Sequence, residues 1–269
     1  MNGTEWSQKI LVVIIPDASD LETAERIRQR FSQCIVDAEN DSECIQNDAL
    51  TLILDAEGLS LHSGDQVLKG DFTRMIPRIK NSNLPKELLV RAAKIKDSEG
   101  SLTALDATAG LGEDSLLLAA AGFHVTLFER NPVIYELLTD ALRRAAQIPE
   151  LSDIAARMHV FHGDSIEGMR MQKTEPDVIL LDPMFPERQK SALVKKKLQM
   201  IQKLEIPCMD ETELLKTAME ARPKKLIVQR PPKGPYLAGI KPDYSSEGKA
   251  VRFDCFVSPY DRLQKFKFE

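Results

Sequence analysis

The feature that most limits what this chain can fold into is an alternation of strand-like and helix-like patterns running from Leu102 to Val257. Short apolar runs (LTALDAT, HVTLFE, MHVFHGD, PDVILLD, KKLIVQR and AVRFDCFV) are separated by stretches with helical spacing, namely EDSLLLAAAG, NPVIYELLTDALRRAAQ, ERQKSALVKKKLQMIQKL and ETELLKTAMEA. Strands that are apolar throughout need cover on both faces, and the intervening helices supply it. The pattern therefore predicts an α/β fold with a mainly parallel, doubly wound sheet. Ligands of such sheets bind outside the carboxyl ends of the strands, so the residues that follow each apolar run carry the functional argument.

The residues before this alternation read differently. A strand ILVVIIP, a helix LETAERIRQRFSQ and a hairpin LTLILDAEGLSLHSG describe a small α/β unit. A basic, extended stretch from Asp71 to Ser82 follows, and Asn83 is expected to cap a helix over LPKELLVRAAKIK. This places a small domain at 1–82 and the main domain at 83–269. A chain of 269 residues has room for one large core and a small companion.

Several function classes are disfavoured at once. No run approaches the roughly 18 apolar residues of a membrane span, and the N-terminal apolar run ends in Pro16 and Asp17 without a small-residue cleavage site. The expectation is a cytoplasmic protein. Cys34, Cys44, Cys208 and Cys255 form no C-x-x-C pair, and His159 and His162 point to opposite faces of a strand, so no metal site is expected. The net charge of -5 argues against coating nucleic acid with the whole surface, although a local basic face remains compatible.

The first strand of the alternation opens into Asp106-Ala-Thr-Ala-Gly110-Leu-Gly112-Glu113-Asp114. Gly110 and Gly112 permit a tight turn and a close backbone approach to a ligand. A pyrophosphate needs the positive helix N-terminus that follows such a turn, whereas Glu113 and Asp114 place two carboxylates there. A ligand with a sulfonium and an ammonium and no phosphate suits these acids, which favours S-adenosylmethionine over NAD or FAD. Ordinary dipole compensation in a first helical turn is the competing reading of the two acids. Asp106 is suited to fixing the turn and holding water near the methionine ammonium. Glu129 ends the next strand, where an acid accepts both ribose hydroxyls; Arg130 beside it can pack along the adenine. Asp164 and Ser165 end the third strand and suit the adenine edge, or alternatively a cap for the helix SIEGMRM.

The fourth strand delivers Asp182-Pro183-Met184-Phe185-Pro186. Methyl transfer to an exocyclic amine needs the nitrogen lone pair in line with the methyl carbon, so acceptors must hold the N–H groups. Asp182 and the Pro183 carbonyl are suited to this, and Phe185 to stacking on a flipped base. No nucleophile or metal is required. From Glu187 to Lys203 six basic residues face one acid, among them Arg188, Lys190, Lys195, Lys196 and Lys197. From Arg222 to Arg252 eight basic residues, including Arg230 and Lys233, face two acids. Such clustering in an acidic chain is the footprint of a phosphate-backbone contact.

The segments DATAGLGEDSLLLAAAGFHVTLFERNP, LDPMFPERQKSALVKKK and KAVRFDCF resemble those of the ribosomal RNA small subunit methyltransferase J family, over roughly Leu102 to Phe256. The resemblance implies a Rossmann-like class I methyltransferase that methylates the N2 of a guanosine in 16S ribosomal RNA, with the RNA or the small subunit as partner. It implies that Glu113 with Asp114, Glu129 with Arg130, Asp164 with Ser165, and Asp182 contact the cofactor or its surroundings. The chain departs from the family in carrying IPRIKNSNLPKELL in place of a glycine-rich basic tract, and Asp164 where serine is usual. Three alternatives share parts of the pattern: a methyltransferase for another nucleic-acid or protein amine, a nicotinamide-dependent dehydrogenase, and a non-enzymatic RNA-binding module.

Overall fold

The computed structural model describes residues 10–15, 20–32, 35–36, 50–96, 100–183, 204 and 210–265. The chain divides into two compact units, and the division falls after Asp71, earlier than the expected boundary at 82. The smaller unit takes in the chain up to Asp71 and also Glu136–Arg144.

In the smaller unit, β1 (Ile10–Ile14), β2 (Ile35–Val36), β3 (Leu50–Asp55), β4 (Gly58–Ser63) and β5 (Gln66–Leu68) form a sheet in the order β2-β1-β3-β4-β5. β1 runs parallel to β2 and β3, while the expected hairpin pairs β3 and β4 antiparallel with Leu52 opposite Leu61. Helix α1 (Leu21–Arg30) starts where the Asp20 carboxylate accepts the Thr23 N–H. Val12, Ile27, Leu52, Leu59 and Leu61 are fully buried. The unit also buries two acids, Glu136 and Asp140. Glu136 is paired with Arg26 and Arg30; Asp140 accepts from the Leu59 N–H, Arg143 and Arg144.

The larger unit begins with a 3-10 turn (Phe72–Met75), α2 (Ile76–Ile79), a second 3-10 turn (Leu84–Lys86) and α3 (Leu88–Ala93). The helix expected from Asn83 therefore starts later. Asn83 spends its side-chain amide on the Pro77 carbonyl at 2.9 Å, and Glu87 is extended (ψ 130) with its carboxylate held by both ends of the Arg78 guanidinium. Next come β6 (Thr103–Asp106), α4 (Glu113–Ala120), β7 (His124–Glu129), α5 (Pro132–Ala145, of which Glu136–Arg144 belongs to the smaller unit), α6 (Pro149–Ala155), β8 (Met158–His162), α7 (Ser165–Met171) and β9 (Val178–Leu181). The chain then forms α8 (Glu211–Glu220), β10 (Lys225–Arg230), β11 (Tyr244–Glu247) and β12 (Arg252–Val257). The helix expected over ERQKSALVKKKLQMIQKL lies, Leu204 apart, outside the described residues.

The seven strands lie in the order β11-β12-β10-β9-β6-β7-β8, with β12 antiparallel to both its neighbours. From β6 the chain winds outward through β7 and β8, then returns to the other side of β6 at β9. The order thus reverses between β6 and β9, the position at which doubly wound sheets bind ligands. One face packs Leu105, Ile179, Leu181 and Leu226 against Leu214, Leu215 and Met219 of α8. Among the described residues no helix is long and apolar enough to cross a membrane.

Candidate active site

Asp106 and Asp182 end adjacent strands at the reversal point. Asp106 is buried, and its two oxygens accept from the Thr108 N–H at 3.0 Å and the Ser115 hydroxyl at 2.6 Å. It therefore ties the strand end to the first turn of α4. Burial pushes its carboxyl above the ordinary range, against the lowering effect of these two bonds.

The turn between them is shaped by two left-handed glycines, Gly110 (φ 53) and Gly112 (φ 76), the second at the N-cap of α4. A Cβ on Gly110 would meet no heavy atom within 4 Å, so the turn presents bare backbone to open space. Glu129, buried at the end of β7, accepts the Gly110 N–H at 3.0 Å with one oxygen and the Asn131 N–H at 2.7 Å with the other. Asn131 in turn caps α5 through the Val133 and Ile134 N–H groups. Glu129 thus fixes the very loop that borders its own proposed ribose position. Arg130 beside it is exposed.

Glu113 and Asp114 stand in the first turn of α4, Glu113 exposed and Asp114 half-buried. Desolvation and the neighbouring charge of Asp106 push Asp114 up to about 7, and Arg78 opposes the shift. This electrostatic setting fits S-adenosylmethionine: acids at a helix start attract a cation and repel a pyrophosphate, and the bare Gly110 backbone admits a close ligand. Asp164 caps α7, its carboxylate accepting the Ile166 N–H at 2.7 Å, and Ser165 is half-buried beside it.

Asp182 is held from two sides. Its N–H donates to the Thr108 hydroxyl at 2.6 Å, and its Oδ2 accepts from the Gln229 amide at 2.7 Å. Sequence pattern alone did not single out Thr108, Gln229 or Asn131. The only signal was positional, since Thr108 sits within the D-A-T-A-G turn and Gln229 lies near the end of the strand beside Asp182. Pro183 is buried, whereas Phe185 lies outside the described residues, as do Arg188, Lys190, Lys195, Lys196 and Lys197.

Of the two basic residues expected to meet RNA at the end of β10 and in the loop beyond it, Arg230 and Lys233, the first must be reassigned. Arg230 is fully buried, its Nε donating to the Pro235 carbonyl at 3.0 Å and its guanidinium facing Glu211 at 3.5 Å, so it holds a loop and presents no surface to RNA. Arg252 binds the Pro232 and Gly234 carbonyls of the same loop, leaving Lys233 exposed on it. Among the described residues no cluster of side chains suits a metal ion.

The doubly wound sheet, the glycine turn with its acids and the paired strand-end aspartates define an S-adenosylmethionine-dependent methyltransferase. A family model for putative SAM-dependent methyltransferases matches residues 38–258. A crystal structure of a SAM-dependent methyltransferase from Neisseria gonorrhoeae superimposes with a TM-score of 0.71 at 31% identity, covering 92% of this chain and 96% of that one. Ribosomal RNA small subunit methyltransferase J of Thioalkalivibrio sulfidiphilus is 42% identical over 217 residues, 78% of this chain and 85% of the relative. Its counterpart from Neisseria gonorrhoeae is 42% identical over 193 residues, 71% of this chain and 76% of the relative. The chain belongs to the ribosomal RNA small subunit methyltransferase J family.

Proposed function

We propose that this protein transfers a methyl group from S-adenosylmethionine to the exocyclic N2 of a guanosine in 16S ribosomal RNA, in the cytoplasm where ribosomes are assembled. The observation that carries the reading is the placement of Asp182 beside the cofactor turn, with its backbone fixed by Thr108 and its carboxylate by Gln229. Relatives named for ribosomal RNA small subunit methylation support the substrate class.

The bound cofactor supplies an electrophilic methyl group. Gly110, Glu129, Asp164 and Ser165 would hold its adenosine part and the two acids of α4 its cationic end. Asp182 accepts a hydrogen bond from an N–H of the target amine and, with the Pro183 carbonyl, aims the nitrogen lone pair. Positive charge growing on that nitrogen during transfer would lie beside the Asp182 carboxylate, which would stabilise it until the extra proton passes to water. Phe185 stacks on the base. Lys233, with Arg188, Lys190 and Lys195 to Lys197, contacts RNA phosphates.

Tritiated S-adenosylmethionine and small subunits from cells lacking the enzyme test this directly. Label should appear on one guanosine, located by nuclease digestion and mass spectrometry. Absence of label from any RNA defeats the proposal, and label on an adenine or cytosine amine defeats the guanosine assignment.

A further inference from the structure

The chain is acidic overall, yet from Phe72 to Lys86 it carries four basic residues, Arg74, Arg78, Lys80 and Lys86, and no acid. All four are exposed. The segment contains the three short helical turns before α3, and two prolines, Pro77 and Pro85, stiffen it on either side of the polar turn Asn81-Ser82-Asn83. The Asn83 side chain closes this turn onto the Pro77 carbonyl, and Arg78 anchors it to Glu87, the start of α3. Among the described residues Lys80 and Lys86 make no ion pair. Their charge is therefore not spent within the fold.

Location gives this charge a use. Helix α2 and the 3-10 turn before it pack against α4, the helix that opens at Glu113 and Asp114, and the Arg78 guanidinium is close enough to feel both carboxylates, which places the segment beside the cofactor turn. At the other end of α3, Lys225 Nζ binds the Ala92 and Lys94 carbonyls at 2.8 and 2.7 Å, tying that end to the start of β10, away from the site. The basic segment therefore flanks the carboxyl edge of the sheet, where an RNA strand must run for its base to reach Asp182. A stiff edge carrying two uncompensated lysines at such a place suits a phosphate backbone, because its chain loses little order on binding.

We propose that residues 74–86 form a second RNA-contacting lip, in which Lys80 and Lys86 bind backbone phosphates of the strand next to the target nucleotide. The proposal rests on the ribosomal RNA reading above. It predicts a contribution to affinity and salt dependence with none to base choice, since phosphates carry no sequence information.

The test compares the wild type with Lys80→Ala/Lys86→Ala and with a matched pair, Lys173→Ala/Lys216→Ala, in the connection before β9 and on α8. Small-subunit affinity is measured by filter binding across a salt series, and S-adenosylhomocysteine affinity by calorimetry as a check on folding. Loss of two phosphate contacts should lower the slope of log affinity against log salt by about 1.4, at about 0.7 per single-strand contact, and weaken binding roughly tenfold at moderate salt. S-adenosylhomocysteine affinity should not change. An unaltered slope and affinity, or an equal loss from the matched pair, overturns the lip while leaving wild-type methylation intact. A wild type that neither binds nor labels RNA overturns the underlying reading as well.

Discussion

The Gln229 amide donates to Asp182 Oδ2 at 2.7 Å across adjacent strands, and this bond orients the carboxylate that the proposed mechanism sets against the target amine. A carboxylate on a short side chain can rotate, and the Gln229 bond fixes one oxygen so that the other keeps a set direction. Gln229→Ala should therefore lower kcat roughly 10- to 100-fold, the scale of loss expected when a reacting geometry slips by about 1 Å. The KM for S-adenosylmethionine should hold, because Gln229 does not belong to the cofactor turn. Asp182→Ala should lose methyl transfer while the protein still binds S-adenosylhomocysteine. Steady-state kinetics at saturating RNA separate these outcomes, and an unchanged kcat for Gln229→Ala removes its positioning role.

Asp114 gives a pH dependence with a definite sign. Its pKa rises from 3.8 to about 7 in the folded, cofactor-free protein. Between these values the folded state holds a proton that the unfolded state has released, so rising pH costs stability until about pH 7 and nothing further above it. A cationic cofactor favours the ionised form, so its affinity should strengthen as pH rises towards 7 and level off beyond. Asp114→Asn should flatten this binding profile, weaken cofactor affinity at pH 8, and stabilise the free protein there by on the order of 1 kcal/mol. Calorimetric titration and thermal melts at pH 5.5 and pH 8 check both signs.

The parts of this fold that were legible in the sequence are those written in apolar runs. PDVILLD and KKLIVQR announce central strands because their middles, Val178 to Leu181 and Leu226 to Val228, are apolar throughout and fully buried, and the acids and polar residues that end the strands could be placed from that alone. β11, with the sequence YSSE, lies at the sheet edge and carries no apolar run, so no pattern marked it. The helical period of NPVIYELLTDALRRAAQ predicts α5 but not that Glu136 and Asp140 are buried, because their partners Arg26 and Arg30 and the Leu59 N–H are distant in sequence. Arg230 misled for a related reason. Its type and its neighbours suggest RNA, while its burial depends on a carbonyl presented by the loop after it.

Glu129 combines two duties that mutation can separate. Each of its oxygens accepts one backbone N–H, from Gly110 or Asn131, and a carboxylate oxygen can accept a second bond, which the proposed function assigns to a ribose hydroxyl. Glu129→Gln keeps one acceptor oxygen but turns an NH2 group towards the other N–H, so both the loop and the ribose contact suffer. Affinity for S-adenosylhomocysteine should fall about 10- to 100-fold, since hydrogen bonds to a charged group are worth about 1.5 to 3 kcal/mol. Gly110→Ala tests the turn itself, and its Cβ would also stand in the space the bare backbone leaves for the cofactor. Its Cβ has room, but φ 53 costs an alanine about 1 kcal/mol, so stability should fall by about that much. Equal cofactor affinity for Glu129→Gln and wild type would remove Glu129 from the binding site.

Asp140 supplies the sharpest stability prediction in the smaller unit. Its fully buried carboxylate accepts from the Leu59 N–H at 2.9 Å, from Arg143 at 2.9 Å and from Arg144 at 2.8 Å. The two arginines are 37% and 22% exposed, so on loss of the acid they can turn towards water at modest cost. The buried Leu59 N–H has no such escape, and leaving it unpaired costs about 1 to 3 kcal/mol. Asp140→Ala should therefore destabilise the protein by about 3 kcal/mol, the cavity adding to the unpaired donor. Asp140→Asn keeps an oxygen for the Leu59 N–H while discarding the charge, so it should cost clearly less. If the ion pairs carried the stability instead, the two variants would be equally damaged and high salt would weaken the wild type towards them. Denaturant unfolding at low and high salt distinguishes the cases, and the hydrogen-bond account requires a wild type insensitive to salt with alanine well below asparagine.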